Sequence, residues 1–171
     1  TKNLINNSKL YNGAKILLHK VLKPELFGVA KLDSNKKIMF IKEKPKKFIS
    51  DYAITGLYFF DKNVVKYAKK LKPSKRGEVE IVDLLKFYKS RKQLSADLIG
   101  RGGAWLDTGS IDDFYKTSAF VSAIENRQGF KIACLEEISL NKKWINKNQI
   151  IDAIKFYGNC EYSVYLKKLI S

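Results

Sequence analysis

Cysteine is almost missing: Cys134 and Cys160 are the only two in 171 residues, and no C-x-x-C spacing occurs. That excludes a disulfide framework and a spaced zinc or redox pair, and it points to free thiols in a reducing compartment, with the cytoplasm as the expected location. Histidine is scarcer still. His19, alone and without a nearby cysteine, is expected to be a packed or surface residue rather than a metal ligand. No apolar run approaches the roughly 20 residues a membrane span needs, so no membrane partner is expected. The chain opens on Thr1 rather than Met and shows no charged-then-apolar leader, which suits a processed, tagged or shortened start. Acid is also in short supply: 17 acidic against 33 basic residues leave a formal charge of +16. A basic excess suits nucleic acid, anionic membranes or small phosphorylated molecules. All but four of the basic residues are lysine, scattered in pairs such as Lys36-Lys37 and Lys167-Lys168. Groove readers rely on arginine forks, so a solvated lysine surface is expected here and nucleic acid is not.

What remains is ordinary for a folded domain, with 45% hydrophobic and 12% aromatic residues. Residues 1–13 are polar and asparagine-rich and read as a ragged remnant. An apolar run from Ala14 through Val21 predicts a strand ending near Pro24. Residues 27–33 and 37–43, joined by a tight turn, predict a hairpin that delivers Glu43-Lys44-Pro45 at a strand end. A carboxylate there can accept hydrogen bonds from sugar hydroxyls while the ammonium neutralises phosphate, or the two form an exposed ion pair at a turn. Residues 52–60 are β-branched, aromatic or small and predict a central strand buried on both faces. Gly56 within it marks a bulge or a close backbone approach, and Thr55 and Tyr58 could show hydroxyls to a ligand. Asp61 is placed to cap a helix carrying Val64, Val65, Tyr67, Ala68 and Leu71 and ending at Pro73.

The loop 72–78 is basic, and Arg76 within it could reach a phosphate or pair with a neighbouring acid. Glu78, Glu80 and Asp83 enrich the start of a helix with apolar face Leu84, Leu85, Phe87 and Tyr88. Residues 93–99 alternate as a strand and lead into GRGGAWLDTGS at 100–110. There the apolar trio Ala104-Trp105-Leu106 predicts a short buried strand with Asp107 at its end. Ligands collect at carboxyl ends of strands in open α/β sheets, so Asp107 could hold a metal or substrate; as an alternative it caps the helix beginning near Ser110. Residues 111–126 have helical spacing. After Gly129 only short helices follow, at 136–144, 146–157 and 161–170.

Six motifs then stand in order: FGV from Phe27, EKP from Glu43, YAITGLYFFD from Tyr52, KPSKRGEVEI from Lys72, GRGGAWLDTG from Gly100 and ENRQGFKIACLEEI from Glu125. Together they resemble the glucose-1-phosphate thymidylyltransferase (dTDP-glucose pyrophosphorylase) family. The resemblance implies an α/β fold: part of a Rossmann-like nucleotidyltransferase domain, a mixed sheet flanked by helices, over 14–130, with a small helical appendage over 131–171. It implies attack of the phosphate oxygen of glucose 1-phosphate on the α-phosphate of dTTP, giving dTDP-glucose and pyrophosphate for rhamnose-type sugar synthesis. Mg²⁺ is implied as cofactor, because hard cations and basic side chains offset charge on the phosphate oxygens. By position, Asp107 resembles the metal ligand and Trp105 a residue beside the reacting phosphates. Lys44 and Arg76 resemble phosphate contacts, Glu43 the grip on glucose hydroxyls, Gly28 a close backbone approach, and Ile54 and Tyr58 the pocket wall. Gly100, Arg101, Glu137 and Ile138 fall near a regulatory nucleotide-sugar site, and the appendage near subunit contacts of a homo-oligomer, a tetramer in the family.

The departures are equally definite. The family's GGxGTRL phosphate loop and its GDN aspartate have no match in this chain. The resemblance therefore covers about the C-terminal three-fifths, with the sugar-phosphate half-site and without that for dTTP, and turnover by these residues alone is not expected. Near the end, Tyr162-Ser163-Val164-Tyr165-Leu166 carries serine where the family run has glycine. The readings left beside this one are another sugar-1-phosphate nucleotidyltransferase and a binding or assembly remnant without catalysis.

Overall fold

The computed structural model describes residues 12–74 and 77–171. Packing divides the chain between Trp105 and Leu106 into two compact units. The first is built on a five-stranded mixed sheet. Its strands are β1 (Ala14–Lys20), β2 (Gly28–Leu32), β3 (Ile38–Glu43), β4 (Tyr52–Phe60) and β5 (Leu94–Leu98), in the order β3-β2-β4-β1-β5. β1 runs antiparallel to β4 and parallel to β5, while β2 is antiparallel to both β3 and β4. The hairpin expected from the turn at 34–36 is β2-β3, closed by Asp33, whose carboxylate accepts the amides of Asn35 and Lys37 at 2.9 and 2.8 Å. Among the described residues β3 and β5 are the sheet's two edges.

Alternation along the strands sends Ile16, Leu18, Ala30, Ile41 and Ile54 to one face, where helix α2 (Ile81–Ser90) adds Val82 and Leu85. Burying each isoleucine, leucine or valine among them contributes about 1.5–3 kcal/mol. The face of α2 differs from expectation: Val82 is buried with Leu84, Leu85 and Tyr88, whereas Phe87 is half-buried beside Arg91. Glu78 and Glu80 precede the helix, leaving Asp83 alone in its first turn. Helix α1 is shorter than expected, Val64–Ala68, and unwinds through tight turns at Lys70 and Leu71 before Pro73. Its N-cap position is Asn63, not Asp61. The Asp61 carboxylate is instead a buried junction: it accepts the amides of Gly13 (2.8 Å) and Asn63 (2.9 Å) and the hydroxyl of Tyr88 (2.8 Å).

β4 is central, but its burial on both faces is not observed. Ala53 and Ile54 are buried, whereas Gly56 is exposed and Leu57 is 45% exposed. The cause is a break in register: Leu18 faces Ile54 while Ile16 faces Tyr58, so Thr55, Gly56 and Leu57 together oppose Leu17. This is a bulge with two extra residues, and it lifts the middle of the strand out of the sheet.

The second unit is helical: α3 (Ile111–Gln128), α4 (Leu135–Asn141), α5 (Lys147–Tyr157) and α6 (Glu161–Ile170). Ser110 caps α3 through its hydroxyl, which accepts the Asp113 amide, and Gly129 ends it in the left-handed region at φ 73°. A capping box of Asn146 and Gln149 starts α5. Cys134, Ile150 and Leu166 form its core. Ser163 lies in an unbroken α6, buried, with its hydroxyl 3.5 Å from the Ile154 carbonyl, so serine keeps helical geometry there. No helix among the described residues is long and apolar enough to cross a membrane.

Candidate active site

Two strand ends and one helix converge on Gly28. It begins β2 and pairs directly with Glu43, the last residue of β3. A methyl group placed on Gly28 would lie 2.8 Å from Glu43 Oε2, 3.1 Å from Val82 and 3.6 Å from Ile54. Glycine is therefore needed for space: its bare Cα leaves room for the carboxylate to lie over the strand. Tyr58 shares this face, and its hydroxyl is held above the usual phenol range, first by burial and then by the charge of Glu43. Gly28, Glu43, Ile54 and Tyr58 are thus brought together, as the motifs imply, and Val82 joins them from α2. Val82 escaped the sequence reading because a lone valine at a helix start carries no chemical signal.

Lys44 follows at once. Its backbone turns into the left-handed region (φ 37°), its amide donates to the Phe27 carbonyl at 3.0 Å, and its side chain is exposed. Arg76 lies outside the described residues.

Ala104-Trp105-Leu106 does not form the expected strand, and Asp107 does not close one. Three apolar residues find no ladder partner there. Trp105 is held by its side chain instead: indole Nε1 donates to the Thr55 carbonyl at 3.0 Å, and the ring meets Phe27 edge-on at 5.1 Å and His19 at 6.4 Å. Thr55 does not offer its hydroxyl freely, because Oγ1 donates to the Leu17 carbonyl at 3.1 Å.

Asp107 belongs to the helical unit and is exposed. The alternative that it caps α3 fails, since Ser110 fills that place. Its carboxylate accepts the neighbouring Thr108 amide at 3.0 Å. Among the described residues no three His, Cys, Asp or Glu side chains gather as a metal site. Mg²⁺ is commonly held by one or two carboxylates and completed by substrate phosphates, so Asp107 fits as a single protein ligand of such an ion.

Of the residues near the implied regulatory site, Gly100 closes a turn through its carbonyl to the Gly103 amide (2.9 Å), and Arg101 is exposed. Glu137 accepts the Tyr165 hydroxyl at 2.6 Å within the helical unit, and Ile138 is 42% exposed. A cavity of about 750 Å³ lined by Lys36, Lys37, Lys89 and Lys92 includes none of the expected site residues.

Comparison with known proteins bears on this arrangement. A family model described as nucleotidyl transferase matches residues 2–124. The chain belongs to the nucleotidyl transferase family. Similar proteins include the glucose-1-phosphate thymidylyltransferase of Neisseria meningitidis serogroup A, 40% identical over 159 residues, which cover 93% of this chain and 55% of the relative. That of Xanthomonas campestris pv. campestris is 44% identical over 157 residues, 92% of this chain and 53% of the relative. The chain spans about half the length of these curated relatives. A crystal structure from Bacillus anthracis, described as a glucose-1-phosphate thymidylyltransferase in complex with sucrose, superposes with TM-score 0.59 at 42% identity, over 70% of this chain and 46% of that one. A UDP-glucose pyrophosphorylase complexed with UDP-glucose shares the fold at 23% identity and TM-score 0.55, over 63% of this chain and 43% of that one. The mixed α/β sheet with helices is thus the fold of sugar nucleotide pyrophosphorylases.

Proposed function

We propose that this chain carries the sugar-phosphate part of a glucose-1-phosphate thymidylyltransferase, which joins glucose 1-phosphate to dTTP with release of pyrophosphate. The observation that carries this reading is the meeting of Gly28, Glu43, Ile54 and Tyr58 on one face of the sheet. Bare backbone at Gly28 lets the Glu43 carboxylate lie over the strand, and that carboxylate with its surroundings forms the shelf on which the pyranose ring would rest. Glu43, an acceptor, binds hydroxyls of the sugar, and Ile54 with the Tyr58 ring forms its apolar wall. Lys44, leaving the same strand end, neutralises the phosphate, as does Arg76 in the reading that the motifs imply. Trp105, fixed to β4 by its indole, closes the side of the shelf next to the phosphate. Asp107 would hold Mg²⁺, which offsets charge on the phosphate oxygens when bound with nucleotide. Gly100 and Arg101 in the sheet unit, and Glu137 and Ile138 in the helical unit, would each have a regulatory role by resemblance, and residues 131–171 would serve in contacts between subunits. The nucleotide would be held by residues outside the motifs present here, so these 171 residues are expected to bind the sugar phosphate without releasing pyrophosphate.

Calorimetric titration of the chain with glucose 1-phosphate tests the reading. Binding is expected, with affinity reduced about tenfold or more by Glu43→Gln, since a hydrogen bond to a charged acceptor is worth roughly 1.5–3 kcal/mol. Gly28→Ala is expected to fold, because the flexible Glu43 carboxylate can swing away, yet to lose affinity by a similar factor. Heat of binding absent from the parent chain, or unchanged in both variants, would sink the assignment of the sugar to this shelf.

A further inference from the structure

The shelf's walls depend on an irregularity in β4. In an even strand, Ile54 and Tyr58 would lie about 13 Å apart along the chain direction, at roughly 3.3 Å per residue. Here they face Leu18 and Ile16, which are two residues apart on β1. Opposing three residues to one brings Ile54 and Tyr58 to neighbouring positions, about 7 Å apart by the same rise. Two extra residues, an even number, also keep both side chains on the same face, where both meet the core cluster. Leu17, facing the bulge, has its carbonyl satisfied by the Thr55 hydroxyl, and the Thr55 carbonyl is left to receive the Trp105 indole. The residue that permits this is Gly56, at φ 79°. A side chain there would meet no atom within 4 Å, so glycine is required by backbone angle and not by space.

We propose that Gly56 is a positioning residue: the three-for-one bulge it permits sets Ile54 and Tyr58 side by side and turns the Thr55 carbonyl to the Trp105 indole, fixing two walls of the sugar shelf. The bulge re-aims groups beside a site while the fold's face pattern is kept. That these walls face a sugar rests on the reading above; that Gly56 fixes Trp105 does not.

Trp105 reports on this directly once the exposed Trp144 is replaced by Phe. In that background, Gly56→Ala strains the left-handed angle and is expected to shift Trp105 emission to the red and to raise its quenching by acrylamide. Gly56→Asn is expected to restore both, because asparagine tolerates positive φ and is larger than alanine. Where the parent binds glucose 1-phosphate, Gly56→Ala is expected to weaken it about tenfold, the equivalent of a strain of ~1.4 kcal/mol. A folded Gly56→Ala protein with parental emission and quenching overturns the proposal. So does an asparagine variant no better than alanine. Should Gly56→Ala not fold, Thr55→Val, which removes the hydroxyl serving Leu17, gives the same reading: a red shift supports the bulge as the anchor, and parental emission overturns it. Absence of sugar binding in the parent, with the red shift present, refutes the sugar reading and leaves the positioning role standing.

Discussion

Asp61→Ala is expected to destabilise the sheet unit by ~3 kcal/mol or more, the largest effect of any single substitution considered. Asp61 is 4% exposed, and its carboxylate ties two distant segments, the Gly13 amide at the head of β1 and the Tyr88 hydroxyl on α2, to the nearby Asn63 amide at the start of α1. Truncation leaves buried donors at Gly13 and Tyr88, and each unmet buried group costs about 1–3 kcal/mol. Tyr88, itself fully buried, has nowhere else to donate. Burial alone would push the Asp61 carboxyl up, but the bonds from Gly13, Tyr88 and Asn63 overcome it and hold it below the ordinary carboxylate value. The contribution is therefore complete above an unfolded carboxyl pKa of about 4 and is lost as pH falls through the lower folded value. Urea unfolding at neutral pH and at pH 3 checks both parts. The variant should lose most at neutral pH, and its deficit should shrink in acid. Asp61→Asn keeps an acceptor but adds donors, and is expected to fall between the two proteins.

Glu136→Ala is expected to cost the helical unit ~2 kcal/mol or more. Its two oxygens gather hydroxyls from both neighbouring helices: Tyr157 of α5 at 2.8 Å and Tyr162 of α6 at 2.5 Å. Buried Cys134 lies 3.1 Å from the Tyr162 hydroxyl. Burial, then Cys134 and Glu136, raises the Tyr162 hydroxyl far above the phenol range. Burial works against the Glu136 charge, yet the two tyrosines keep its pKa below the usual value, so its support too is present above about pH 4.3 and fades in acid. Loss of the carboxylate leaves the Tyr162 hydroxyl with only the weak Cys134 thiol as a partner. Thermal unfolding followed at the helical band is the measurement, with Glu136→Gln as a partial rescue. A melting point unchanged in both would mean that the tyrosines find water instead.

Much of this was legible in the residues. Alternation with β-branched and aromatic side chains marked β1 to β5, and the S-x-x-D and N-x-x-Q patterns sit where α3 and α5 begin. The family resemblance implied that Gly28, Glu43, Ile54 and Tyr58 surround one sugar, and the structure brings them together. What escaped was non-local. Asp61 looks like a cap from its neighbours, and only the approach of Gly13 and Tyr88, 48 and 27 residues away, makes it a junction. Trp105 looked like strand because apolar trios usually are; its hold on Thr55 spans 50 residues. Gly56 announced an irregularity, but counting three residues against one requires the partner strand.

The edge position of β3 explains something about the lysines. Its run Ile38-Met39-Phe40-Ile41 is apolar, with Met39 56% and Phe40 48% exposed, on a strand paired along one side among the described residues. Such an edge is a template for another chain, the usual start of strand-by-strand aggregation. Lys36 and Lys37 stand before it, and Lys42 and Lys44 at its end. A second copy docking there in either direction would bring these charges against their own kind, with desolvation added to repulsion. Positive charge at both ends of an apolar edge is a physical deterrent to such pairing.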